Sequence, residues 1–459
     1  MPTDTVSPAH QRRALSLSTF AFTICFAVWT IFAIIGVQIK ADLGLSDTQF
    51  GLLVGTPILT GSLIRLILGI WSDQYGGRVV FTLTMLSAAL MTALLNFAYD
   101  YPTFLLAALG VGIAGGSFAV GVAHVSKWFP KDRQGTALGI FGAGNIGAAV
   151  TIFVAPTIMV AYGWHAVALV WAASLAMTAV VFLLLTKDDP DLVRRRAAGV
   201  KPESVWAMLV PLANIQVWRF SLYYFFAFGG FVALSLWLPR YLIGVYGLDI
   251  KMAGMIGAAY SIPASIFRAY GGHLSDKFGA RRITYWSFMV TATCTFILSY
   301  PPTQYVIQGI RGPVTFGAQL GIVGFVIITI VLGFFMSLGT AAVFKHVPVY
   351  YPDRVGAVGG VVGMVGGLGG FVLPIAFGAL SDLTGIWQSC FWLLFGIVMA
   401  ALVWMHLSIL QMERRAQAAG VPARALPQLQ PLHGPAQQGP LAAAGAIQAR
   451  GNGTRSWYA

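Results

Sequence analysis

Acidic side chains are scarce in this sequence. Asp and Glu number 15 in 459 residues, and each falls in a loop, at the edge of an apolar run or in a tail. Charge of either sign is thin, 9% of the chain against 57% hydrophobic residues, with a mean hydropathy of +0.77. A soluble domain is excluded, because its surface would need many more ionised groups. Cysteine is limited to Cys25, Cys294 and Cys390, an odd number without paired spacing. No disulfide or metal site is implied, and the three read as packing residues. No metal-ligand cluster, nucleophile elbow or phosphate-binding loop is present, so an enzyme has no support and no cofactor is expected. The first apolar run is too long for a signal-peptide core and lacks a small-residue cleavage site, so it reads as an uncleaved span.

What the chain has instead is apolar runs of about 18 to 25 residues, each able to cross roughly 30 Å of hydrocarbon. Twelve are expected, near 16–38, 49–71, 79–98, 103–127, 134–158, 164–186, 218–245, 252–274, 283–300, 316–344, 354–379 and 387–411. The net charge of +13 could signal nucleic acid or acidic lipid, but its distribution marks topology. With the N-terminus in the cytoplasm, Arg12, Arg13, Arg78, Lys127, Lys131, Arg133, Arg194, Arg195, Arg196, Lys277, Arg281, Arg282 and Arg354 lie on the inner face. Only Lys40, Arg240, Lys251 and Arg311 lie outside. A polar stretch divides the runs six and six. The expected plan is a cytoplasmic N-terminus at 1–15, a six-helix bundle at 16–186, a cytoplasmic linker at 187–217, a second bundle at 218–411 and a flexible cytoplasmic tail at 412–459. The fold class is an all-α integral membrane protein of two pseudo-symmetric bundles.

Within this apolar background two arginines stand out. Arg65 opens the segment Arg-Leu-Ile-Leu-Gly-Ile-Trp-Ser-Asp-Gln-Tyr-Gly-Gly-Arg, and Arg268 opens Arg-Ala-Tyr-Gly-Gly-His-Leu-Ser-Asp-Lys-Phe-Gly-Ala-Arg. The offset is 203 residues at Arg65/Arg268, at Asp73/Asp276 and at Arg78/Arg281 alike, which marks a repeat of half the chain. Asp73 and Asp276 should close the cytoplasmic ends of spans two and eight. Eight residues of helix then place each arginine about 12 Å deeper, near the bilayer middle. A buried guanidinium there needs a partner, and no mid-span carboxylate exists to supply one. Backbone carbonyls or water remain as alternatives; otherwise the counter-charge is a transported anion. Span five carries Gly135, Gly139, Gly142, Gly144-Asn145-Ile146-Gly147 and Pro156. Span eleven carries Gly356, Gly359, Gly360, Gly363, Gly366, Gly367, Gly369, Gly370 and Pro374. Such spacing permits close, variable helix packing during gating, and Asn145 adds a polar group to the stripe.

The Gly-Asn-Ile-Gly segment, its counterpart in span eleven and the arginine in each of spans two and eight together resemble the nitrate/nitrite porter family of the major facilitator superfamily. Asp73, Arg78, Asp276 and Arg281 match that superfamily's loop motif. The resemblance runs from about Ala21 to about Trp404. It implies that Phe118 and Phe228 sandwich a planar anion, that Tyr224 or its neighbour Tyr223 hydrogen-bonds it, and that Asn145 contacts it; without the resemblance the two phenylalanines would be packing aromatics. It also implies a bacterial inner membrane, and a monomer is expected. A guanidinium presents two parallel N–H donors to a flat oxyanion, which lysine cannot do. Two arginines against one monovalent anion leave a local charge of +1, which should hold the empty carrier in place and favour exchange of nitrate for nitrite. Proton-linked uptake stays open. His124, His273 and His346 all fall near the cytoplasmic end, where a structural role is expected. An organic-phosphate antiporter and a non-transporting anion sensor are the rival readings.

Overall fold

The computed structural model describes residues 7–45, 47–199, 204–248 and 250–418. Among these, nine stretches are long and apolar enough to cross a membrane: Pro8–Leu43, Gln49–Tyr75, Gly77–Phe97, Tyr101–Ser126, Gln134–Leu185, Ile215–Tyr246, Ile322–Tyr350, Pro352–Thr384 and Ser389–Arg414. Gln134–Leu185 holds two spans, because the chain breaks at Gly163, where φ is 78°. The helices Ile250–Phe278 and Ala280–Leu298 complete the expected twelve. Ile250–Phe278 is less apolar because Arg268, Asp276 and several serines ride on it. At 1.5 Å per residue its 29 residues still measure about 44 Å.

The first six spans pack on one another, as do the last six, and the halves meet where spans two, four and five face spans eight, ten and eleven. The 203-residue repeat has a backbone counterpart. Spans two and three join at Gly76 (φ 92°), and spans eight and nine join at Gly279 (φ 87°). A side chain at either would strain the turn, which explains the glycine of the Gly-x-Arg motif.

Among the described residues, four spans leave regular α geometry within their length. Span one turns at Thr30–Ile31, between Pro8–Trp29 and Phe32–Leu43. Span four tightens at Gly112–Gly116, span five tightens at Ala143–Ile146, and span seven widens into a π segment at Phe225–Gly230. Such interruptions free backbone groups and survive in a membrane only where protein or a cavity receives them.

Two boundaries differ from expectation. The apolar run puts the start of span ten at 316, but Thr303–Gly309 and Gly312–Ala318 pair as an exposed antiparallel hairpin, and the helix begins at Ile322. Its β-branched and aromatic residues, with glycines at the turn, favour that pairing over a helix. The last helix runs to Ala418, into the stretch read as tail. The remainder of that tail lies outside the described residues.

Candidate functional site

Arg65 and Arg268 are both buried, at 1% and 3% exposure, so neither points into lipid. Their surroundings differ. Arg65 donates through Nε to the Gly115 carbonyl (3.0 Å), in the tightened turn of span four, and through Nη1 to the Gly363 carbonyl (2.7 Å) in span eleven. The carbonyl alternative raised from the sequence therefore applies to Arg65 in part, and the Gly363 bond ties one bundle to the other. Arg268 donates through Nη2 to the Tyr224 hydroxyl (3.1 Å). Its Nε and Nη1 are buried and have no hydrogen-bond partner. A donor left so in low dielectric is costly and calls for an acceptor.

Both guanidiniums flank an aromatic slot. Phe118 and Phe228 lie parallel, with 8° between planes and 6.5 Å between centroids. The centroid distance is an upper limit on the spacing of the planes, and a flat guest touching both rings at about 3.5 Å each needs roughly 7 Å, so the rings must part slightly to admit one. The Arg65 carbon Cζ lies 5.4 and 5.7 Å from the Phe118 and Phe228 centroids, and that of Arg268 lies 5.0 and 5.9 Å away. Taking the median of each triangle, both carbons sit about 4.5 Å from the midpoint of the slot, near the reach of a forked N–H···O pair. Tyr224 is the tyrosine that meets Arg268, and its ring runs parallel to Phe228 (5.1 Å, 9°). Tyr223 instead packs edge-on against Phe288. Asn145 is buried in the tightened turn of span five, three residues beyond Gly142, and its Oδ1 has no partner.

The glycines divide by task. A methyl on Gly69 would collide with the Gly356 carbonyl, and one on Gly272 with the Gly135 carbonyl, so these two crossings admit no side chain. Gly139 and Gly142 abut the backbone and guanidinium of Arg268; Gly360 and Gly363 do the same for Arg65. Gly366 faces the Tyr224 ring, and Gly367 faces Ser62 and Arg65. Gly144 and Gly147 pack instead on Phe22 and Thr23 of span one, inside their own bundle. A methyl on Gly61, one turn from Arg65, would meet the Trp29 indole and the Gly112 carbonyl.

At the end of the molecule carrying Asp73 and Asp276, hereafter the motif end, the repeat forms two clasps. The Asp276 carboxylate accepts from the Gly135 amide (2.9 Å), the Thr136 amide (2.6 Å) and the Thr136 hydroxyl (2.7 Å), at the start of span five. Lys345 of span ten pairs with it at 2.6 Å and also donates to the Lys131 carbonyl. Asp73 accepts from the Ala357 amide (2.9 Å) at the start of span eleven, with Lys127 at 3.4 Å. Each carboxylate thus sits at the positive end of a helix of the opposite bundle. Arg78 donates to the Leu183 carbonyl (3.1 and 2.8 Å), and Arg281 pairs with Glu413 (3.2 Å).

Sequence reasoning missed Trp29, Phe344 and Lys345. Trp29 lies 5.6 Å from the Arg65 Cζ, and Phe344 meets Phe118 edge-on at 4.8 Å. Nothing in their spacing distinguishes the two aromatics. Lys345 was findable, since it directly follows the apolar run 316–344, and a lysine there invites the reasoning applied to the arginines. Of the histidines, His124 is buried without a partner on either nitrogen, His346 stacks on Phe220 (5.1 Å, 5°), and His273 is exposed.

The sequence profile of the Major Facilitator Superfamily matches residues 17–324. The chain is 43% identical over 421 residues to a Thermus thermophilus protein named "Probable nitrate/nitrite antiporter NarK1", an alignment covering 88% of this chain and 93% of that one. It is 30% identical over 400 residues to the "Nitrite extrusion protein" of Bacillus subtilis, covering 86% and 95%. Among solved structures, the proton:xylose symporter XylE superposes with a TM-score of 0.65 at 14% identity, over 86% of this chain and 95% of that one, a likeness of fold alone.

Proposed function

The chain belongs to the nitrate/nitrite porters of the Major Facilitator Superfamily, a family of transporters and not of enzymes, and from that premise we propose that it exchanges nitrate for nitrite through one anion site between its bundles. The observation that carries this reading is Arg268, a buried guanidinium with two donors unpaired beside a slot of molecular thickness. The anion sits between Phe118 and Phe228 and takes the free N–H groups of Arg268, with Arg65, Tyr224 and Asn145 on its rim. A planar ion needs the two rings to part least, whereas a tetrahedral phosphate or sulfate would force them much further apart.

Among the described residues, the guanidiniums meet carbonyls and a phenol and no carboxylate. The empty site therefore carries both positive charges. Moving them through the closed intermediate without an anion is unfavourable, which couples each reorientation to a bound ion. The two clasps at the motif end hold that side shut, and the opposite side opens when they close. In this reading the motif end, the linker and both termini face the cytoplasm of a bacterial cell, and the protein works as a monomer in the inner membrane.

Counterflow in proteoliposomes tests the proposal. Vesicles loaded with nitrite should accumulate labelled nitrate without a proton gradient. Uptake that requires an imposed gradient and no internal anion would replace exchange with symport.

A further inference from the structure

The hairpin between spans nine and ten has two unlike faces. Span nine starts at the Gly279 turn of the motif end, and Lys345 near the finish of span ten pairs with Asp276 there, so the hairpin lies at the opposite end of the molecule. Its strands pair Tyr305 with Phe316 and Ile307 with Val314. Side chains directly opposite share a face, and successive ones alternate. One face therefore carries Tyr305, Ile307, Val314 and Phe316, its two rings stacked at 5.3 Å and 22°. The other carries Gln304, Gln308 and Thr315, with Val306 among them. All of these side chains are exposed, and Ile310 at the tip is wholly so. The stretch 299–326 contains no acidic residue and a single basic one, Arg311, beside Ile310.

We propose that the hairpin is a lipid-surface anchor, its aromatic and aliphatic face laid on the bilayer interface and Arg311 set among headgroup phosphates. Three observations favour lipid over water or protein. The apolar face continues a lipid-facing surface: Phe296, Ile297 and Tyr300 are exposed where span nine ends, and Val323 and Ile327 are exposed where span ten begins. Both roots are pinned at that level, because the Trp392 indole donates to the Ser299 carbonyl (2.6 Å) and the Tyr246 hydroxyl to the Leu320 carbonyl (3.0 Å). Tyrosine and tryptophan at the ends of spans form the aromatic belt of a membrane protein, and an amphipathic element at the same level gains by burying its apolar face between headgroups and acyl chains. The outer edge of the second strand, finally, is poorly made for a second chain. Around the two-residue turn at Ile310 and Arg311, Gly309 and Gly312 form the hydrogen-bonded pair, so position 313 turns its backbone nitrogen outward; Pro313 offers an incoming strand no donor there. Spans nine and ten belong to the C-terminal bundle, so the anchor ties that half to the leaflet, whichever ion the protein carries.

Site-directed fluorescence on the full chain in liposomes tests the anchor. The native Cys25, Cys294 and Cys390 are buried, and the wild type carried through the same labelling gives the background. A nitrobenzoxadiazole label is placed on Ile307→Cys, on the apolar face, or on Gln308→Cys, its neighbour on the polar face. Spin-labelled phosphatidylcholine should quench the label at 307 about three-fold more than the label at 308, and aqueous iodide should show the reverse order. Iodide quenching both positions alike overturns the proposal, since the hairpin then stands in water. Equal quenching of both by the spin-labelled lipid overturns it too, since neither face is then selected. A label at 307 shielded from both quenchers also overturns it and assigns the face to protein; loss of that shielding on dilution into excess lipid would identify a second copy of the chain. If the Ile307→Cys protein does not fold, Val314→Cys, across the hairpin on the same face, carries the same label and is read by the same outcomes.

Discussion

Arg65 and Arg268 hold the same register in two copies of one motif, yet the tertiary structure gives them unequal duties. Arg65 spends two donors on carbonyls, one in its own bundle and one across the interface. Arg268 has a single tyrosine partner and two buried donors without any. A repeated motif therefore guarantees equivalent positions and not equivalent work. The first arginine braces the junction of the halves, and the second keeps two buried donors unpaired. The clasps repeat the lesson with the weights reversed. Asp276 takes two amides, a hydroxyl and a lysine at 2.6 Å, whereas Asp73 takes only backbone amides at the start of span eleven and a lysine at 3.4 Å.

The inequality of the clasps can be broken first, because its effect is expected to be largest. Asp276→Asn strands Lys345 in a buried site and should cost about 3–5 kcal/mol of the closed motif end, against about 1–2 kcal/mol for Asp73→Asn. Thermal unfolding and labelling of a cysteine introduced at the motif end would read both, and equal effects would refute the ranking.

Next, Arg268→Lys keeps the charge but not the fork. It should weaken nitrate exchange by about 2–3 kcal/mol, some 30- to 150-fold, with little change in unfolding temperature. Arg65→Lys should lose exchange and also lower the unfolding temperature, since the bond to Gly363 goes with it. Matching unfolding temperatures in the two lysine variants would remove the distinction drawn between them.

Phe118→Ala opens one face of the slot that both arginines share. A loss of about 1–2 kcal/mol in nitrate affinity is expected, with normal membrane insertion, and unchanged affinity would make the ring a packing residue. Smallest is Tyr224→Phe, which removes only the contact to Arg268. Binding should fall by about 0.5–1.5 kcal/mol, and a parallel fall in the Arg268→Lys background would show that the hydroxyl acts elsewhere.

Sequence alone determined the spans, the half-chain repeat and the two mid-span cations without a carboxylate beside them in the chain, because hydropathy, helix length and motif spacing are local properties written residue by residue. It also named Phe118, Phe228 and Tyr224 or Tyr223 as anion contacts, though only through resemblance to a family; the structure puts Phe118, Phe228 and Tyr224 beside Arg268. The hairpin after span nine was hidden by its apolar composition, which suits a strand as well as a helix end. Tertiary structure decided the rest. The carbonyls that hold Arg65 lie 50 and 298 residues away, and Gly115 is reached only because span four tightens there. The same holds for the π segment that carries Phe228 and for the direction of Gly144 and Gly147 toward span one. Which donors stay empty depends on how neighbouring helices bend, and bending is settled by packing between segments far apart in the chain.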